Sequence, residues 1–102
     1  MIQLSAWLSD EGRGRPLLID VREPWEYEIC RIEGSTSMPL GRLPRQLEGI
    51  DAQRPVVCIC HHGARSLHAA MLLEQHGCRE VYNLSGGVDA WARQVDPAMP
   101  TY

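Results

Sequence analysis

One stretch limits the folds open to this chain: Val56-Val57-Cys58-Ile59-Cys60-His61-His62-Gly63-Ala64-Arg65-Ser66, where a short apolar run ends in a cysteine and passes through a loop into helix formers. Val56, Val57 and Ile59 are β-branched, and the run is bounded by Pro55 and by His61-His62-Gly63. That pattern predicts a short buried strand with Cys60 at its carboxyl end. From Ser66 to Glu74 the residues favour helix with few breakers until Gly77, so the helix starts at Arg65 or Ser66. The first helical turn leaves N–H groups without intrahelical partners, and together with the loop amides they converge on whatever projects from Cys60. Such a cup stabilises an anion.

The remaining elements repeat the strand-then-helix theme. Ser5-Ala6-Trp7-Leu8 predicts a short amphipathic helix ending near Glu11-Gly12 and capping one end of a sheet, before a loop at Gly12-Arg13-Gly14-Arg15-Pro16. Leu17 to Val21 is apolar apart from Asp20, as expected of a strand buried on both faces of a parallel sheet. Asp20 then requires a partner, an arginine or loop amides. Pro24 is placed as the first residue of a helix, with Glu23, Glu26 and Glu28 near its positive end and Trp25, Tyr27 and Ile29 available for packing. Residues 34–39 form a turn and a brief strand, and residues 42–47 a short helix with Pro44 in its first turn. Gly77 is a left-handed cap, residues 80–84 the last strand, and Gly86-Gly87 a sharp turn into a helix over residues 88–93. Trp25 and Trp91 are assigned to the core. Alternating strands and helices imply an α/β layer architecture, in which ligand sites lie beyond the carboxyl ends of the strands. The loops after Val21 and Leu84 share that rim with Cys60.

A cysteine at such a position has a chemical meaning. The thiolate is the nucleophile, and free cysteine, with a pKa of about 8.5, is only slightly ionised at neutral pH. Converging amides, a helix dipole and Arg65 favour the charged form, and Gly63 lets the loop fold its amides inward.

Cys60-His61-His62-Gly63-Ala64-Arg65-Ser66 resembles the active-site loop of rhodanese-like sulfurtransferases: cysteine, two variable residues, glycine, a variable residue, arginine, serine. Leu17-Leu18-Ile19-Asp20-Val21-Arg22-Glu23 is similar to that family's first strand motif. Ile32-Glu33-Gly34-Ser35 and Met38-Pro39-Leu40 are similar to its following turn and strand, and residues 81–91 to its C-terminal signature. The resemblance implies a three-layer α/β/α rhodanese-like fold with a mainly parallel central sheet of about five short strands. It also implies ping-pong sulfur transfer, in which Cys60 is the catalytic nucleophile and takes a sulfane sulfur as a persulfide. His61, His62, Gly63, Ala64, Arg65 and Ser66 would form the substrate and persulfide loop. Arg65 would brace the loop, and the two histidines would attract an anionic donor below about pH 6.5, or else be solvated loop residues. The expected partners are a small anionic sulfur donor such as thiosulfate and a thiol or cyanide acceptor, with no cofactor. Where the family commonly has glycine and histidine before an isoleucine, this chain has Cys30-Arg31-Ile32.

The same residues admit three other readings. Phosphatases and arsenate reductases of related fold also cradle an oxyanion between cysteine and arginine, but would require one residue more than the four between Cys60 and Arg65. A metal site from Cys58, Cys60, His61 and His62 is not expected, because Cys58 lies inside the strand and paired zinc cysteines are usually spaced more widely. A persulfide carrier or regulatory module serving a partner protein needs the same thiolate as an enzyme. Cys30 is a helix-end packing residue or a resolving thiol for Cys60, and Cys78 packs or is exposed.

The chain's 102 residues and 11.5 kDa suit one domain spanning residues 1–102. With 44% hydrophobic and 23% charged residues and no long apolar run, no membrane association is expected. A net charge of −3, with no basic run among ten arginines, argues against nucleic acid as a partner. No secretory signal is visible, so the cytoplasm and free thiols are expected.

Overall fold

Two four-residue strands, β1 (Leu17–Asp20) and β3 (Val56–Ile59), run parallel at the centre of the sheet and are buried almost throughout. In the computed structural model, which describes residues 2–10, 12 and 14–101, the strand order is β2-β1-β3-β4, with β2 Thr36–Ser37 and β4 Val81–Asn83 and every pairing parallel. The register sets Leu18 opposite Val57 and Ile19 opposite Cys58. Among the described residues the sheet has four strands rather than about five, one for each of the four short extended segments the sequence offers.

The helices are α1 (Ile2–Ser9), α2 (Pro24–Ile29), α3 (Leu43–Gln46, flanked by 3-10 turns at Leu40–Arg42 and Leu47–Gly49), α4 (Ala64–Gln75) and α5 (Gly87–Gln94). Side chains alternate across a strand, so the central strands feed two separate cores. Leu18, Val57 and Ile59 pack with Leu4 and Trp7 of α1 and with Val88 and Trp91 of α5. Ile19, Val56, Cys58 and Cys60 pack on the other face with Leu43 of α3 and Ala69, Ala70 and Leu73 of α4. The result is the expected α/β/α layering, in which each fully buried aliphatic side chain contributes about 1.5–3 kcal/mol.

Several local expectations shift. The first helix starts earlier and ends sooner than anticipated, and Leu4 and Trp7 place it against a sheet face instead of an end. Glu11 and Arg13, at the expected helix end and loop, lie outside the described residues. Pro24 opens α2 as expected, but Trp25 is 59% exposed and Ile29 40% exposed, so neither belongs to the core. The cause is polar: Glu26 and Cys30, four residues apart, take the inward face, where two arginines bind them. The helix α4 starts two residues before Ser66, because Gly63 at φ +113° serves as its N-cap. Gly77, at φ +104°, ends α4 as expected.

Candidate active site

Cys60 follows the last residue of β3 and is almost completely buried. Its Sγ accepts the Gly63 N–H at 3.0 Å and lies 3.3 Å from the Ser66 hydroxyl. The positive φ of Gly63 turns that amide back toward the sulfur, a conformation in which a side chain is strained. Ser66 Oγ can also donate to Gly63 O at 3.1 Å and to Asn83 Oδ1, while Asn83 Nδ2 donates to Gly63 O at 3.1 Å. A hydroxyl has one proton to give. When Ser66 gives it to Asn83 or Gly63, its lone pairs face a Cys60 thiol; when the sulfur is ionised, the same proton can turn to it.

The N-terminus of α5 holds the loop from the other side. Val88 N–H donates to Cys60 O at 2.8 Å and Asp89 N–H to His61 O at 3.2 Å. This approach requires glycine before them, since a Cβ on Gly87 would lie 2.1 Å from Cys60 O and 2.4 Å from His61 O. The loop after Leu84 therefore shares the rim with Cys60, as expected from the topology.

The loop after Val21 contributes through two ion pairs. Asp20 and Arg22, both fully buried, form a forked pair, with Nη2 to Oδ2 at 2.6 Å and Nε to Oδ1 at 2.9 Å. Arg22 also donates to Glu26 O and Cys30 O, two carbonyls at the C-terminal end of α2. Glu26 in turn receives Arg65 of α4 at 2.6 and 2.9 Å. Arg65 thus pairs with a residue of α2, and the positive charge it brings to the rim is balanced by a carboxylate.

Glu26, Cys60, His61, His62, Ala64 and Arg65 line a pocket of about 320 Å³. All seven sequence-predicted site residues are brought together: five line the pocket, and Gly63 and Ser66 sit behind it at the sulfur. His61 is half-buried, and burial, followed by the nearby His62, holds its pKa below the ordinary imidazole value. It is therefore neutral near pH 7. Cys58 lies at 0% exposure on the Cys60 side of the sheet, and burial, followed by the neighbouring Cys78 and Cys60, pushes its thiol up to about 12. Cys30 caps α2 and packs in the opposite core from Cys60, while Cys78 is buried against α4's layer; all four cysteines are free thiols. Among the described residues Cys58 and Cys60 do not join His61 and His62 as a set of converging ligands; the third group found within reach of the histidines is Asp89.

Two contributors escaped the sequence reading. Asn83 lies within the C-terminal motif, yet nothing in its spacing signals a contact with Gly63 twenty residues away. Glu26 was visible only as an acid in the first turn of α2.

A family model described as Rhodanese-like domain matches residues 3–94. The uncharacterized protein YqhL of Bacillus subtilis is 39% identical over 84 residues, covering 82% of this chain and 67% of its own. The adenylyltransferase and sulfurtransferase MOCS3 of Drosophila ananassae is 35% identical over 99 residues, covering 84% of this chain, which spans only 21% of that protein. Among solved structures, SSP1007 of Staphylococcus saprophyticus superposes with a TM-score of 0.81 at 26% identity, covering 92% of this chain and 91% of its own.

Proposed function

The chain belongs to the rhodanese-like domain family, and from that premise we propose that it is a sulfurtransferase carrying a sulfane sulfur on Cys60. The observation that carries this reading is the seating of Cys60 Sγ, with the Gly63 amide at 3.0 Å and the Ser66 hydroxyl at 3.3 Å, at the base of an open pocket. In the first half-reaction the Cys60 thiolate attacks the outer sulfur of thiosulfate, the S–S bond of the donor breaks with its electron pair, and sulfite leaves. The terminal sulfur of the resulting persulfide bears the negative charge, and stabilising it falls to the donors of the loop over residues 60–66. In the second, cyanide or a thiolate takes that outer sulfur and Cys60 returns to the thiolate. Arg22 and Arg65 do no chemistry here; Arg22 anchors the end of α2 through the Glu26 and Cys30 carbonyls, and Arg65 holds the pocket wall through the Glu26 carboxylate.

The test is the intact mass of the reduced protein after mixing with thiosulfate, read together with sulfite release. A gain of one sulfur on Cys60 with sulfite formed supports the reading; no gain with thiosulfate or with a protein persulfide rules it out.

A persulfide carrier that hands sulfur to a partner protein is a second reading. It draws on Trp25, a large exposed apolar side chain adjacent in sequence to the pocket-lining Glu26. Turnover with cyanide or small thiols separates an enzyme from a carrier. Among the described residues no helix is long and apolar enough to cross a membrane.

A further inference from the structure

We propose that His61, His62 and Asp89 form a binding site for a zinc-class divalent cation at the mouth of the Cys60 pocket. Each residue offers one ligating atom, and these atoms lie within 4.8 Å of one another. His62 Nε2 and Asp89 Oδ2 are 3.6 Å apart, against an edge of about 3.3 Å for a tetrahedral site with bonds of about 2 Å. Small side-chain rotations therefore complete the set, and His62, mostly exposed, is the side chain most able to make them. The two His rings are already adjacent, with centroids 4.1 Å apart.

The backbone holds the three residues in register. Asp89 N–H donates to His61 O, and the close approach at Gly87 locks the start of α5 onto the loop that carries both histidines. Two imidazole nitrogens and one carboxylate oxygen suit zinc, copper or nickel rather than the all-oxygen shells of magnesium and calcium. One group competes for the site: Arg93 binds Asp89 Oδ2 at 2.6 Å from one turn along α5. The Arg93 side chain is largely exposed, so an arriving dication displaces it at little cost. Three protein ligands leave a position open for water or for a group entering the pocket that His61 and His62 share with Cys60. An ion there sits over the entrance used by a sulfur donor. Binding itself does not depend on the sulfur-transfer reading.

The experiment is calorimetric titration of ZnCl2 into the Cys60→Ser chain, which removes chelation by that thiol. One ion per chain is expected, with affinity falling at least tenfold in Cys60→Ser combined with His62→Ala or with Asp89→Asn, and rising when combined with Arg93→Ala. MgCl2 gives no binding heat. Circular dichroism checks folding of each variant, and the exposed His62 position keeps the test sound should Asp89→Asn disturb α5. Absence of zinc binding in the Cys60→Ser chain, or binding indifferent to both His62→Ala and Asp89→Asn, overturns the proposal.

Discussion

Glu26 and Arg65, thirty-nine residues apart in sequence, form a two-armed ion pair that ties α2 to the first turn of α4 beside Cys60. The pair is asymmetric: the Glu26 side chain is 5% exposed and that of Arg65 is 37% exposed. Arg65→Ala strands a buried carboxylate that also accepts from Glu23 N–H at 3.0 Å, whereas the half-exposed arginine left by Glu26→Ala can turn to water. Arg65→Ala is therefore the costlier change, about 1–3 kcal/mol, below the range for fully buried pairs because water screens Arg65. Denaturant midpoints of the two variants and of the double variant measure this; equal costs for the single changes contradict the asymmetry.

The four cysteines separate by position. Cys60→Ser abolishes sulfur transfer, because a hydroxyl neither ionises near neutral pH nor forms a persulfide. Cys30→Ser, Cys58→Ser and Cys78→Ser retain turnover and lose stability, with Cys58→Ser the most affected at about 1–3 kcal/mol for a hydroxyl placed in an apolar strand core. Turnover that survives in Cys60→Ser removes Cys60 from the mechanism.

Cys58 also gives the fold an alkaline limit. Burial pushes its thiol up to about 12 in the folded chain, from an ordinary value of 9.0. Between those values the unfolded chain has released a proton that the folded chain keeps, so stability is fully present below about pH 9 and falls as pH rises toward 12. The slope approaches about 1.4 kcal/mol per pH unit from this group, and Cys78, also raised by burial, acts in the same direction. Urea unfolding across pH 8 to 11 should show the decline, and Cys58→Ala should flatten it; an unchanged slope places the alkaline sensitivity elsewhere.

Gly87 and Gly77 both have positive φ but differ in surroundings. A Cβ on Gly77 meets nothing within 4 Å, so Gly77→Ala costs about 1 kcal/mol of backbone strain and leaves the site intact. A Cβ on Gly87 collides with the carbonyls of Cys60 and His61. Gly87→Ala must push α5 off the loop, losing the Val88 and Asp89 amide bonds, and costs at least about 2 kcal/mol together with most of the activity. Thermal unfolding and turnover of the two variants give the comparison.

The legible parts of the chain were those set by local pattern. The apolar runs at Leu17 and Val56, Pro24 at the start of α2 and Gly77 at the end of α4 each determine their own backbone, and together they place Cys60 at a strand end. What escaped depends on pairings that no periodicity records. Trp25 reads as core by size, yet α2 turns it outward because Glu26 finds Arg65 and the α2 carbonyls find Arg22. Ser66 was legible as part of the loop, but its partner was not, since Asn83 arrives from the neighbouring strand.

That partner supports the last prediction. Asn83 touches Ser66 and Gly63 behind the sulfur and does not line the pocket, so it acts by positioning. Its amide answers two needs at once, accepting from the Ser66 hydroxyl and donating to the Gly63 carbonyl, whose own amide holds the Cys60 sulfur. Asn83→Ala loosens both residues and should lower kcat by about tenfold, equivalent to about 1.4 kcal/mol, with little change in KM for the donor. Asn83→Asp should be worse, since a carboxylate can accept from Ser66 but turns a second acceptor on Gly63 O. Steady-state kinetics on both variants decide the point: a rise in KM with kcat unchanged would instead place Asn83 in donor binding.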